Sequence, residues 1–466
     1  MDIKIKRISA LALTVVLMLG FCACGSPADR DTEDDTELSF SSLEVSPDDG
    51  SELPSVTSVN YPSSFTVLCE KGREGDMFSS ADETDILAKN IFERNANLFE
   101  QYGITLESVV SEDIVTKATN DMLSEDREYD MLLLSAPSSA SLITSGVLAD
   151  LGSVAGWSAS LSGYAERVIE ELSVCGRTFL AAGDATPSLF LSASAVLVNT
   201  EISEKVGGTE KIFSVAENGR FTYDVMLEYS SAVSELGGND SSVYNTAAIR
   251  VGAEDAINLF LSGGGRFFEV DSVTDVPSAE NFEGELSNIY TAVMSLFGID
   301  ENVEEQETVA STSVTPLFNV ASIGELYSLV SEDTPIAVLP MPIKDIIQKE
   351  YYCNIDMTKA TFTALPRGSG ETEVAVMNLI YALSDGIMGV ILDACGAGNS
   401  KGAELVRESM GAQVLDLFGF GDIPAFMASC VNERTTAKVF AMRASERSTA
   451  GVSALSIVAD KYSSAN

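Results

Sequence analysis

No histidine occurs among the 466 residues. That alone removes Ser-His-Asp and Cys-His catalysis, histidine-ligated zinc and the HExxH metalloprotease pattern. What remains is carboxyls, hydroxyls, amides and aromatic faces, groups that hydrogen-bond and stack on a small molecule. Candidates of this kind fall in loops after strand-like runs. Asp76 and Met77 follow FTVLC (65–69), Ser135 and Ser138 follow YDMLLLS (129–135), and Asp184 sits in the turn GDATP (183–187). In open α/β sheets ligands sit beyond the carboxyl ends of strands, which singles out these loops. Tyr223 and Asp224 begin a helical stretch, Phe267 (or Phe268) follows the triple glycine 263–265, and Tyr351 (or Tyr352) follows the Pro-rich exit of IAVLPMP (336–342). Trp157, the one tryptophan, is either a stacking platform or a core filler. Each candidate has a plainer role beside the binding one. Asp76 and Met77 could belong to a solvated loop, Ser135 and Ser138 could be helix caps, and Asp224 could simply complement a helix dipole.

Other chemistries find little support. Apart from Cys22 and Cys24, the cysteines are Cys69, Cys175, Cys353, Cys395 and Cys430, odd in number, far apart and without a CxxC. A zinc site or redox pair is therefore not expected, and buried free thiols are. GAGNSKG (396–402) lacks the GK[ST] ending of a phosphate loop, and Gly237-Gly238-Asn239-Asp240 lacks the alternating acids of an EF-hand. No metal and no cofactor are expected. Two-carboxylate glycosidase chemistry turns on the carboxyl separation, which stays open here. Formal charge is −42, from 70 acidic and 28 basic residues, so nucleic acid is disfavoured as a partner. The acidity reads first as solubility and mutual repulsion, and second as a preference for a cationic ligand.

The elements that must position these residues start after an export segment. Lys4, Lys6 and Arg7 precede an apolar run from Ile8 to Phe21, which ends in Cys22-Ala23-Cys24-Gly25-Ser26. A basic head, a 14–16-residue apolar core and a small residue before the junction make a signal peptide (1–23), too short for a membrane span of about 20 residues. The junction resembles the lipobox of bacterial lipoproteins, with Phe21 in place of Leu or Val. That resemblance implies acylation of Cys24, palmitate included. Residues 24–60 follow as an acidic linker: from 25 to 60 there are ten acids against one base, Arg30, which is a solvated stalk. Beyond it no apolar run reads as long and charge-free enough to span a bilayer.

Folding begins near Phe65. FTVLC, a helix capped from Ser80 with Glu83, ITLESVV (104–110), a helix over 113–125, YDMLLLS and a helix from Pro137 form a β-α-β-α-β series. Such a series predicts a mostly parallel sheet covered by helices. TFLAA (178–182) and AVLVN (195–199) read as strands, as do 336–342 and 360–365. Helices are expected over 221–238, 253–262, 282–297, 371–384, 402–418, 422–430 and 434–461, with an acidic loop at 300–307.

Several stretches, in order, resemble one family. They are DETDILAKNIFERNANLFEQYGITLE with the pair Arg94-Asn95, YDMLLLSAP with LITSGVLADL, and RTFLAAGDATPSLFLSASAVLVNTEISEKVG. FTYDVMLEYSSAV, with Phe221 for the usual Trp, LFLSGGGRFFEVD, TPIAVLPMPIKDIIQKEYY and ATFTALPRGSGETEVAVMNLIYALSD follow. Together they resemble the sugar-type (family 1) extracellular solute-binding proteins of ABC importers, the maltose-binding-like lipoproteins, over nearly all of 65–465.

The resemblance implies a two-lobed, periplasmic-binding-protein-like (type II) α/β fold. Each lobe would be a mostly parallel sheet flanked by helices, with the ligand cleft between them. The N-terminal lobe would be 61–195 plus 360–410, and the C-terminal lobe 196–359 plus 411–466. It further implies a non-enzymatic monomer held by a lipid anchor on the outer face of the cell membrane, in a Gram-positive bacterium. Such a protein closes by hinge motion on a solute, a carbohydrate foremost, and passes it to permease subunits of an ABC transporter. With aromatics at 8% and one Trp, a smaller solute, a peptide or an amino compound also fits. Two other functions stay open: a binding protein feeding a sensor or adhesion complex, and a carboxylate-based glycoside-acting enzyme.

Overall fold

A computed structural model describes residues 60–124, 126–236, 248–270, 277–299, 316–329, 335–395, 400–411 and 414–463. The signal peptide, Cys24, all but the last residue of the acidic linker, the turn at 237–240 and the acidic loop at 300–307 lie outside the described residues.

In chain order the strands are β1 (Ser64–Glu70), β2 (Thr105–Ser111), β3 (Met131–Leu134), β4 (Ser194–Asn199), β5 (Ile249–Arg250) and β6 (Phe268–Val270). They continue with β7 (Pro277–Ala279), β8 (Phe318–Ser322), β9 (Ile336–Leu339), β10 (Cys353–Asn354), β11 (Phe362–Ala364) and β12 (Met410–Gly411). The first sheet has the order β11-β3-β1-β2. β1 runs parallel to β2 and β3, and β11 lies antiparallel to β3. Alternation along these strands sorts side chains onto two faces, as the period of two requires. Phe65, Val67, Cys69, Met131 and Leu133 enter one core with Val376, Ile380 and Tyr381. Leu68, Leu132, Leu134, Phe362 and Ala364 enter a second core that continues through to Val196, Val198, Phe318 and Leu339 of the other sheet. β3 is buried at all four positions because both faces are covered.

The helix Ile86–Tyr102 connects β1 to β2. Its cap is Asp85, which accepts from the Ala88 N–H at 2.9 Å, and not Ser80 as the Ser80/Glu83 spacing suggests. Residues 79–85 stay in turn and loop, so the first free N–H groups fall beside Asp85. The helices Ile114–Leu123 and Ala136–Ser145 lie within a residue or two of the expected 113–125 and the start at Pro137, with Asp113 and Ser135 as their caps.

The second sheet has the order β5-β8-β4-β9. β4 pairs antiparallel with both β8 and β9, and only β5–β8 is parallel. The expectation of a mostly parallel sheet in each lobe therefore holds for the first sheet and is corrected for the second. There the central strand enters directly from the other lobe rather than through a local β-α-β step. TFLAA forms no regular strand; Ala181 makes a single antiparallel bridge to Thr363.

The two chain passages between the sheets lie side by side. Ala193 and Ile355 form an antiparallel bridge, and the Asp356 N–H donates to the Ser192 carbonyl at 3.0 Å.

The C-terminal third is helical, with differences in detail. The stretch 402–418 is two helices, Ser400–Glu408 and Val414–Phe418, separated by β12, which pairs with β10. Glu371–Cys395 is, against the sequence reading, long and apolar enough to cross a membrane, but two thirds of its most apolar window is buried inside the fold. Gly386 (φ 93°) breaks it into Glu371–Ser384 and Ile387–Cys395, two core helices. Cys69, Cys353, Cys395 and Cys430 are buried free thiols, and Cys175 is half-buried.

Candidate functional site

Above the paired passages lies a cavity of about 1440 Å³. Its floor is Ser192 and Ser194 of the first passage and Asn354–Lys359 of the second. One wall is the helix Ala136–Ser145, packed on the first sheet. The facing wall is β5 and β8 of the second sheet with Glu254–Asn258. Leu415–Phe420 and the late turns of the helix Ala437–Ser463 close the far side. Residues from the helix on the first sheet, from two strands of the second and from both passages thus line one space.

The floor carries an ordered polar chain. Asn354 Nδ2 donates to Asn258 Oδ1 at 3.0 Å, Asn258 Nδ2 donates to Asp255 Oδ1 at 3.4 Å, and the Gly252 N–H donates to Asp255 Oδ2 at 2.7 Å. Asn354 is only 5% exposed, and its Oδ1 has no partner. The Ser194 hydroxyl, buried on the neighbouring passage, also has none. Buried polar atoms without partners are uncommon and invite an explanation; here both residues line the cavity, so a bound molecule can supply the missing bonds.

Carboxyls gather around that floor. Burial pushes Asp416 up to about 7, and Asp356 adds to the rise. Burial likewise pushes Asp255 up to about 6, opposed by the Gly252 N–H and assisted by Glu254. Asp356 accepts from the Thr358 N–H at 3.0 Å and from its hydroxyl at 2.6 Å, and lies 3.4 Å from the Lys359 ammonium. Asp356 is thereby fixed in place, while Asp416 is left facing desolvation and a like charge.

The aromatic element is Phe418-Gly419-Phe420-Gly421. The two rings stack at 5.2 Å and 14°, half-buried at the cavity edge. Gly419 (φ 64°) and Gly421 (φ 85°) supply the left-handed turns that bring alternate residues to one side. An apolar face beside hydrogen-bonding groups is the composition that receives sugar rings or other amphipathic solutes.

The ten positions singled out from the sequence lie elsewhere. Ser135 is a cap: its Oγ accepts from the Ser138 N–H at 3.5 Å and donates to Glu70 at 2.9 Å; it immediately precedes Ala136 of the wall helix, and Ser138 is buried within that helix, without either lining the cavity. Asp76 accepts from the Ser188 N–H at 3.3 Å and from the Ser188 hydroxyl, tying the loop after β1 to the first passage. Burial raises its pKa. Met77 is fully buried in the first core, because Arg94 and Asn95 both donate to its carbonyl, at 2.5 and 2.9 Å, and draw the loop inward. Asp184, buried and raised to about 7 by desolvation, accepts from the Gly386 N–H at 2.7 Å. Trp157 packs edge-on to Tyr164 at 6.3 Å beside the first core.

Tyr223 is buried and donates to the Leu259 carbonyl, while Asp224 is exposed in the first turn of its helix. Phe267 is fully buried among Phe260, Phe282 and Phe426. Phe268 is buried in β6. The Tyr351 hydroxyl donates to the Ala216 carbonyl at 2.9 Å and accepts from the Phe221 N–H at 3.1 Å. Tyr352 is sandwiched under Arg266 at 3.6 Å and Arg167 at 4.8 Å, and donates to Glu171 at 2.6 Å. None of the ten lines the cavity. The residues that do, Asn354, Asp356, Asp416, Phe418 and Phe420, carried one visible clue: aromatics alternating with glycine in LFGFGD (417–422).

No protein-family model matches the chain, and no curated protein matches it. Among solved structures it is similar to the ABC substrate-binding protein Lmo0181 from Listeria monocytogenes, in complex with cycloalternan. The identity is 13%, the match covers 84% of this chain and 98% of that one, and the TM-score is 0.47.

Proposed function

We propose that this chain is an extracellular solute-binding protein, anchored through an acylated Cys24, that delivers a hydroxylated solute, a carbohydrate foremost, to ABC transporter permease subunits. One observation carries the reading: the floor of the 1440 Å³ cavity is the pair of passages that joins the two sheets. A molecule bound there makes contacts with both lobes that exist only when they approach each other, which is the differential interaction that hinge closure requires. The half-buried Phe418/Phe420 stack and the amide, hydroxyl and carboxyl groups of the floor supply the apolar face and the hydrogen bonds that a sugar uses. The ligand contacts in this reading are the cavity residues rather than the ten loop positions.

The test is a thermal-shift screen of the detergent-solubilised full chain against sugars, amino acids and peptides, with product analysis on the same samples. A sugar that raises the unfolding temperature without turnover is the expected result, since a ligand selective for the native state stabilises it. A shift by another class alone sinks the carbohydrate reading, and released product sinks the non-enzymatic one in favour of the Asp356/Asp416 carboxyls acting as a glycosidase pair. Membrane fractionation of Cys24→Ala tests the anchor; unchanged membrane retention refutes it.

A further inference from the structure

Six carboxyl side chains line the cavity: Glu254, Asp255, Glu325, Asp356, Asp416 and Asp422. Its cationic side chains are Arg250 and Lys359. That proportion is close to the chain's own 70 to 28, so the count decides nothing. What decides is how these groups are left. Arg250 is exposed, and Lys359 is already engaged with Asp356 at 3.4 Å. Asp416 has no cation and no hydrogen bond among the described residues to offset its burial, and it faces the charge of Asp356.

Asn354 is an independent observation. Its Nδ2 is committed to Asn258, so the unpaired Oδ1, on a residue 5% exposed, can only accept. Of the groups left without partners around the floor, the Asp416 carboxyl and Asn354 Oδ1 accept, and the Ser194 hydroxyl can do either. A neutral hydroxyl donates one proton and brings acceptor lone pairs of its own; an ammonium donates three and accepts none. Among the described residues no three acidic or sulfur side chains converge as a metal site would need, so the complement is an organic cation.

We propose that the cavity takes a carbohydrate bearing a protonated amine, an amino sugar, with the ammonium between Asp416 and Asp356 and a donor on Asn354 Oδ1. The inference rests on the carbohydrate reading above and adds the charge. The ammonium neutralises two carboxyls that otherwise repel each other in a partly desolvated site, where an ion pair gains more than in open water.

The test titrates the detergent-solubilised full chain by calorimetry with three probes: the glucosamine disaccharide obtained from chitosan, cellobiose and spermidine. They separate amine from sugar. The expected result is binding of the glucosamine disaccharide about tenfold or more tighter than cellobiose, a margin that shrinks at high salt. Asp416→Asn, and separately Asp356→Asn, should abolish the margin between the two sugars, whatever each change does to cellobiose itself. Cellobiose binding as well as or better than the amine sugar overturns the ammonium site and leaves the carbohydrate reading intact. Spermidine binding without either sugar overturns both, and silence from all three overturns the amino-sugar site.

Discussion

Asn354 donates to Asn258 across 3.0 Å, from the second passage between the sheets to the helix Ala256–Ser262. That bond fixes the Asn354 amide with its oxygen unpaired, so the second passage presents a rigid acceptor to the cavity. Asn354→Ala should weaken the best sugar from the thermal screen about tenfold, the value of one hydrogen bond of roughly 1.4 kcal/mol. Its own stability should change little, because one made bond and one unpaired acceptor leave together. Asn258→Ala should weaken binding less, since the Asn354 amide survives but loses its orientation, and the two changes should be non-additive. Calorimetry with thermal melts on the two variants and the double variant checks this. Unchanged affinity in Asn354→Ala would remove the residue from the site.

Arg94 is a buried cation in the service of backbone. Its guanidinium donates to the Met77 carbonyl at 2.5 Å and, at 3.4 Å, to the Ala185 carbonyl and the Ser384 hydroxyl. Burial lowers it to about 10, with Asp76 opposing that change, so it stays charged at neutral pH. It joins the loop after β1, the first passage and the end of the helix Glu371–Ser384. Arg94→Met keeps the stem volume and removes the fork. The expected loss is about 2–4 kcal/mol of unfolding free energy, because the Ala185 carbonyl is orphaned and Met77 keeps only Asn95. Urea unfolding measures it, and a loss under about 1 kcal/mol would contradict the assigned role.

The first sheet was legible in the sequence because its pattern is local. The apolar runs FTVLC and YDMLLLS, the helical stretch over 113–125 and the capping role open to Ser135 each need only neighbouring residues. The second sheet's pairing was not, since β4 meets β8 and β9 from more than a hundred residues away. The cavity was least legible. Strand-end loops are a sound place to look in a parallel sheet, yet Asp76 and Met77 are drawn inward by Ser188 and Arg94, contacts across 112 and 17 positions. Tyr351 drew attention by its ring, while Asn354, three residues on, has no feature in the sequence that marks an unpaired amide.

Gly163 tests how closely the loop around Trp157 seats on the core. Its φ is +83°, and a Cβ there would lie 2.1 Å from the Tyr381 carbonyl oxygen. Gly156, seven positions before it, has nearly the same φ, +85°, with nothing within 4 Å. Gly156→Ala should therefore cost only the left-handed strain of about 1–2 kcal/mol. Gly163→Ala adds backbone displacement against Tyr381, whose ring stacks on Tyr164 at 4.0 Å, and should cost on the order of 3–5 kcal/mol. Paired chemical denaturation distinguishes them; equal losses would mean that the loop relaxes freely and does not brace the first core.

The raised carboxyls predict a pH dependence with a definite sign. Desolvation lifts Asp184 from the ordinary 3.8 to about 7, Asp416 to about 7 and Asp255 to about 6. Between these values and 3.8 the folded state binds more protons than the unfolded one, so unfolding free energy falls as pH rises. The contribution is fully present below the unfolded pKa and is lost as pH climbs through the folded one. The unfolding temperature of the free chain should therefore be higher near pH 5 than near pH 8, the window that these carboxyls define. Asp184→Asn, which keeps an acceptor for the Gly386 N–H, should flatten the slope without touching the cavity. Binding of an amine sugar should instead pass through a maximum inside this range, because it needs Asp416 ionised and the sugar amine, which itself loses its proton near neutrality, still charged. Melting curves with and without the glucosamine disaccharide across that range measure both dependences. A free chain that grows more stable from pH 5 to 8 would show that Asp184 and Asp416 are ionised at no cost, and that the cavity floor is wetter than its burial implies.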